Sequence, residues 1–431
     1  MIEPKFEASV GMSRKWDARE AGREVAETAI QNLSRPPDFF LLFSTIHYEK
    51  HGGFQEFLNG VYDVLPEGTP LIGGTVAGFI NHYGCYTRGA SGLAVSYQDM
   101  DIAIGIGKNT KRNPKKAARQ CAEMIKSGLA LSKYSNQFLY EITSGGTIPQ
   151  FPGLGRKRVI TSGIISKFAP MLSGFSLKML QRGVGREEEI LDELVHHLPN
   201  FHIIGGSSMD DNKMVENYQF FKNRVYNNSI VALGIKTDLR VKVNTTYGLK
   251  ETNLKIKVTK KDASSRVIRE IDNVPALYGF LRKIGWPEDF IDESLYRKTF
   301  FIPFGFEKGN MLFPNVIGLF LGKDIMCGFK IEKDELNLLS ASGRSLLTAV
   351  DENLDEFKNQ DNHLGLIVSC AARLETLGSN IYTTQHKLLN FFGEKPFLLI
   401  YAGGEDTYIP NVGQRHINES FNVATLSSSS I

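Results

Sequence analysis

Apolar residues fall into two kinds of segment that alternate along the first half of the chain. In REVAETAIQNL (23–33) and ARQCAEMIKSGL (118–129), small and aliphatic residues recur at helical spacing. Each is followed by a continuous apolar run, DFFLLFSTI (38–46) and QFLYEITSG (137–145), which predicts a buried strand. These runs are too short to cross a membrane. Further on, LPEGTPLIGGT (65–75) and LPNFHIIGGS (198–207) share Leu-Pro, a polar spacer, an aliphatic run, Gly-Gly and a hydroxyl residue. A phrase said twice signals a repeated supersecondary unit: helix, strand, helix, strand, glycine turn. The Gly-Gly pairs are farther apart than the helices, so the second copy is expected to hold an insertion, placed at 146–185.

The second half changes rhythm. After the apolar run SIVALGI (229–235), residues 236–272 alternate apolar and polar positions and predict antiparallel strands. Residues 273–285 predict a short amphipathic helix ending near Gly285, and 300–331 a second meander. Helices are expected at 342–359 and 383–393. Buried strands are expected at 364–373 and 396–406, the last again running into Gly-Gly. The pattern reads as a mixed α/β (α+β) chain of two domains, 1–235 and 236–431.

A Gly-Gly pair closing a strand permits positive φ and brings backbone N–H groups to the strand end, where ligands bind in open α/β sheets. Gly73, Gly74 and Thr75, with Gly205, Gly206 and Ser207, are therefore candidate ligand contacts; plain tight turns are the alternative.

Composition narrows the function classes. The 431 residues carry 50 basic and 47 acidic side chains, a net charge of +3. That balance gives no argument for nucleic acid, and the one basic cluster, Arg156-Lys157-Arg158, reads as a solvated loop. Cys85, Cys121, Cys327 and Cys370 show no CxxC spacing, which excludes a zinc ribbon or disulfide framework. The first residues lack the apolar stretch of a signal peptide, so a reducing cytoplasm is expected. Within the insertion, the glycines of 144–158 form no phosphate loop. Residues 159–180 are apolar but interrupted by Lys167, Pro170 and Lys178. They read as a lid, a partner surface or a dimer contact rather than a membrane helix, with membrane-surface docking or simple core as the alternatives.

Few residues suggest chemistry. Gly403-Gly404-Glu405-Asp406 lacks the continuation that a nucleotide cyclase signature needs. Cys370 and Arg373 follow one strand and Glu405 follows the next, so Arg373 and Glu405 are expected either to face one crevice as anchors for the charged ends of a ligand, or to form an internal salt bridge. A thiol near a guanidinium is a candidate nucleophile. His196-His197 cannot chelate one ion from one helix face. His47 and His51 have a ligand-like spacing but stand before Gly52-Gly53 in an expected loop. No nucleophile elbow appears.

Taken in order, five segments resemble the FIST family across about residues 9–426: SVGMSRKWDAREAGREVAETAI, PLIGGTVAGFI, HIIGGSSMDDN, DNVPALYGFLRKIG, and the pair SCAARLETLG and YAGGED. Asn273 stands where that family usually has glycine, and Ala371-Ala372 where a glycine often precedes the arginine. The resemblance implies a non-enzymatic sensory module that binds a small metabolite, an amino acid first, without a cofactor. Its ligand residues would be Gly73, Gly74, Thr75, Gly205, Gly206, Ser207, Asp210, Cys370, Arg373, Gly404 and Glu405. Output would pass to a signalling partner in trans, with 159–180 as the candidate contact surface, since no F-box helices precede the first repeat. Some members resemble haem-binding gas sensors, for which His47 is the candidate ligand, and others serve as protein adaptors.

Overall fold

The computed structural model describes residues 6–148, 157–160, 181–183, 185–309 and 311–428. Three of its sheets are built to one plan. In the first, Phe39–Ser44 pairs in parallel with Leu71–Thr75 and antiparallel with Ala90–Ser96, which pairs with Glu7–Ser13. In the second, Asn136–Ser144 pairs in parallel with His202–Ser208 and antiparallel with Ser229–Thr237, which pairs with Met100–Lys108. In the third, Asn362–Cys370 pairs in parallel with Phe397–Ala402 and antiparallel with Phe421–Ser427, which pairs with Arg240–Thr246. The parallel pairs need crossovers, and helices such as Phe54–Tyr62, Glu187–His197 and Ile381–Phe392 supply them.

Each unit then gives away a hairpin. The hairpin 78–86 of the first unit extends the third sheet, Gln219–Tyr226 of the second extends the first, and 405–417 of the third extends the second. The exchange is cyclic, so no unit completes its sheet alone. The boundary expected at 235/236 accordingly falls inside the strand Ser229–Thr237, and strands from either side of it share two sheets.

Side-chain alternation explains how the sheets pack. Phe39, Leu41 and Phe43 point inward to meet Tyr140, Ile142 and Ile204 of the second sheet and Leu366, Val368 and Ile400 of the third in one central core. Phe40 and Leu42 point outward under the helices Ala18–Ile30 and Phe54–Tyr62; Leu139 with Ile203, and Ile367 with Leu399, do the same in the other units. Strands buried on both faces read as continuous apolar runs, which is how they look in the sequence.

Between Arg240–Thr246 and the helix Gly343–Asp355, the third unit carries a further sheet made from the strands of 249–341. The helix Ala276–Ile284 packs on it and ends at Gly285 in the left-handed conformation, as expected. Val159–Ile160 adds to this sheet beside Ile317–Leu321. Residues 161–180, the core of the predicted partner surface, lie outside the described residues. No helix among the described residues is long and apolar enough to cross a membrane.

Candidate functional site

The strand ends of the second and third units face the additional sheet across a cavity of about 120 Å3. One wall is apolar and comes mainly from that sheet: Phe300, Ile317, Leu319, Leu321 and Met326. The other is polar and comes from the units: Glu187, Ser207, Asn212, His416 and Asn418, with Arg158 at one side. An apolar pocket with a few converging polar groups is the usual form of a small-molecule site.

Ser207 is fixed by its backbone. Its amide donates to the Gly404 carbonyl at 2.9 Å, and its carbonyl accepts from the Gly403 amide at 3.0 Å. That leaves its hydroxyl to donate to Glu187 Oε1 at 3.3 Å. Glu187 opens the helix Glu187–His197. Burial pushes its carboxyl up, while His416 and Arg266 pull it back.

His416 and Asp406 are directly opposed across the hairpin 405–417, with Nδ1 2.7 Å from Asp406 Oδ1. Burial disfavours an imidazolium there, but Asp406, Glu187 and Glu188 outweigh it, and the pKa rises to about 9. His416 is thus protonated at neutral pH. Gly404 lets the ring come close: a Cβ there would lie 2.9 Å from His416 Cε1, 3.2 Å from Nε2 and 3.5 Å from Ser207 Oγ.

Arg158 does not sit in the solvated loop expected for it. It is 5% exposed, its guanidinium stacks 3.9 Å from the Tyr296 ring centre, and its Nη2 is buried with no hydrogen-bond partner among the described residues. A buried, unpaired guanidinium edge on a cavity wall is suited to a carboxylate. Behind the polar wall, Lys111 is also buried and donates to Thr147 Oγ1 at 3.1 Å; burial lowers its pKa to about 8, opposed by Glu187 and Glu216.

Of the residues expected from sequence, Ser207 and Cys370 line this cavity and Gly404 shapes it. The others are placed elsewhere or otherwise employed. Gly73, Gly74, Gly205 and Gly206 lie inside strands, and none adopts positive φ. They serve close approach: a Cβ on Gly73 would fall 1.7 Å from the Leu42 carbonyl oxygen. The Thr75 hydroxyl accepts from the Tyr218 amide. Asp210 accepts from the Met214 and Val215 amides, holding the loop that follows.

Arg373 is engaged within the fold and does not line the cavity. It is 1% exposed and donates to the carbonyls of Tyr247, Leu346 and Glu419. It forms no ion pair with Glu405 among the described residues, so neither the shared crevice nor the salt bridge is formed. Glu405 is fully buried and accepts from Ser420, and burial raises its pKa to about 8. The Cys370 thiol is pushed well above its ordinary value by burial and by Glu405 and Glu419, the opposite of an activated nucleophile. His47 sits off the cavity, with Nδ1 2.8 Å from Thr45 Oγ1; burial and Arg88 lower its pKa to about 4. No group of three or more His, Cys, Asp or Glu side chains is arranged to hold a metal among the described residues.

Sequence reasoning missed Arg158, Glu187 and His416. Their positions are spread over three elements far apart in the chain, and only the exchanged hairpin brings His416 beside Ser207.

Comparison with known proteins gives a family and little else. No curated protein sequence matches the chain. Cyanuric acid hydrolase from A. caulinodans aligns over 99% of this chain and 100% of its own, at 7% identity and a TM-score of 0.38. PurLQS from Thermotoga maritima aligns over 99% and 73%, at 12% identity and a TM-score of 0.20. At such scores neither likeness carries an argument about this chain. The family model of the FIST N domain matches residues 38–274, more than half of the sequence. The chain belongs to the FIST family, a family of sensory and signal-transduction proteins.

Proposed function

We propose that the protein senses a small amphiphilic metabolite, an amino acid with an apolar side chain, in the cavity between its strand ends and the additional sheet. The buried Arg158 guanidinium, whose Nη2 has no hydrogen-bond partner among the described residues, carries this reading. It receives the ligand carboxylate, Glu187 or Asn418 receives the ammonium group, and Phe300, Leu319 and Met326 receive the side chain. The ligand would touch both the repeated units and the additional sheet. Occupancy would then favour one placement of that sheet over others, a differential contact of the kind that passes a signal to a partner in trans. No cofactor has a role in this reading.

The test is a thermal-shift screen of the full chain against the amino acids, with haemin as a separate arm. A ligand at a hundred times its dissociation constant stabilises by about 2.7 kcal/mol. A shift with an apolar amino acid that disappears in R158A supports the reading. An undiminished shift in R158A removes the anchor, and a shift with haemin alone, with a Soret band lost in H47A, replaces the reading with a haem sensor.

A further inference from the structure

The polar wall of the cavity holds more than binding requires. Three side chains line it, Ser207, Glu187 and His416, with Asp406 behind His416, each at most 7% exposed. Two contacts order them, Ser207 Oγ to Glu187 Oε1 at 3.3 Å and His416 Nδ1 to Asp406 Oδ1 at 2.7 Å. Asp406 occupies one ring nitrogen and so fixes the ring. The other, Nε2, lies on the side of Gly404 that Ser207 Oγ also faces, and the missing Cβ at Gly404 keeps that space open.

Comparison between the units sharpens the point. Thr75 in the first sheet corresponds to Ser207 in the second: each donates its amide to the residue before the incoming hairpin, Tyr218 or Gly404, at 2.9 Å. The Thr75 hydroxyl is taken up by the Tyr218 amide at 3.0 Å. The Ser207 hydroxyl instead meets a buried carboxylate and lines the cavity. The first hydroxyl is taken up by the backbone, and the second faces the cavity beside a carboxylate.

We propose that the cavity performs acyl transfer on a small amide or ester bearing a carboxylate, with Ser207 as nucleophile, Glu187 as general base and His416, aimed by Asp406, as donor to the developing oxyanion. Ser207 Oγ forms a bond to the carbonyl carbon as its proton passes to the Glu187 carboxylate. The carbonyl oxygen takes the negative charge and accepts from His416 Nε2–H. Collapse re-forms the carbonyl and breaks the bond to the leaving amine or alcohol, which takes the proton from Glu187. Water then attacks the acyl carbon and gives a proton to Glu187. The bond to Ser207 Oγ breaks, and that oxygen recovers the proton. The carboxyl of Glu187, raised by burial, is a stronger base than an exposed one, and the charged imidazole supplies an N–H that a neutral tautomer need not. The 3.3 Å contact is long for proton transfer, as such contacts are before substrate closes the site.

The proposal rests on the cavity being the ligand site, and the experiment separates the two. The full chain is incubated with mono-p-nitrophenyl esters of short dicarboxylic acids, which keep one free carboxylate, and with a serine-directed fluorophosphonate. Nitrophenolate release, intact mass and the modified peptide are recorded. One adduct on the peptide containing Ser207, absent in S207A and formed at least about 100-fold more slowly in E187Q, is expected; general-base assistance contributes about 10²–10⁴. Both variants are checked for a cooperative melting transition near that of the wild type in the absence of ligand, which shows that they are folded. No adduct in the wild type, or an adduct retained in S207A, overturns acyl transfer while leaving the sensor reading standing. An adduct on Ser207 in a protein that shows no metabolite shift overturns the sensor reading alone.

Discussion

Asp406 and His416 face each other across a two-stranded ribbon that the third unit lends to the second, with 2.7 Å between carboxylate and imidazole. The pair holds the ring and its charge together. In D406N the ring keeps its shape partner but loses the first of the charges that offset burial. The His416 pKa is expected to fall from about 9 toward the ordinary imidazole value. Imidazole NMR shifts followed through a pH titration check this. A midpoint still near 9 in D406N would assign the charge to Glu187 and Glu188 instead.

Gly404→Ala places a methyl group 2.9 Å from the His416 ring. Neither the ring, pinned by Asp406, nor the strand end can yield freely. Overpacking of this kind costs about 1–3 kcal/mol, seen as a lowered melting temperature. The sharper expectation is local: G404A loses the ligand-induced shift. Gly68→Ala is the comparison, since nothing lies within 4 Å of a Cβ there and only its positive φ opposes the change. A G404A variant that binds as the wild type does would show that the imidazole is not needed near Ser207.

Arg373 ties together three parts of the third unit, donating to carbonyls at Tyr247 after the strand Arg240–Thr246, at Leu346 in the helix Gly343–Asp355 and at Glu419 before the strand Phe421–Ser427. R373M keeps the apolar stem and removes the donors, leaving buried carbonyls unpaired. Bonds from a charged donor are worth about 1.5–3 kcal/mol each, so a loss on the order of 3–5 kcal/mol is expected in denaturant unfolding. A stable R373M that fails to bind ligand would return Arg373 to the role its sequence position suggested.

The strands were legible because both faces of each are buried, so they appear as unbroken apolar runs from Phe39, Phe138 and Phe397. The helices were legible from their spacing and ends, as with Gly285 closing Ala276–Ile284. The meaning of the glycine pairs was not. Gly73 and Gly205 look like turn residues, but what they provide is room for the backbone of the neighbouring parallel strand, which only strand order reveals. The site was hidden for the same reason. Ser207 and His416 meet because a hairpin from one unit completes the sheet of another, and no local pattern encodes that exchange. Arg158 carried a misleading signal, since two further basic residues precede it in a glycine-rich stretch.

Stability should fall as pH rises through neutrality into the alkaline range. Glu405 and Glu419 are fully buried, and burial raises both to about 8. His416 is raised to about 9 despite its burial. In the unfolded chain the carboxyls lose their protons near 4.5 and the imidazole near 6.5. Across the interval between unfolded and folded values the native state binds more protons, so stability falls as pH rises. The carboxyl contribution is complete below about 4.5 and is lost by about 8; the imidazole contribution is complete below 6.5 and is lost through about 9. Lys111, lowered to about 8, works the other way, but only above that pH, where its native form needs no buried charge. Every tenfold difference in proton affinity between the folded and unfolded chain is worth about 1.4 kcal/mol, so a marked decline between about pH 5 and 9 is expected in urea unfolding. E419Q, which mimics the protonated acid beside Arg373, should flatten that slope. A flat profile in the wild type, or an equal slope in E419Q, would show that Glu419 is ionised in the native protein and that Arg373 balances its charge.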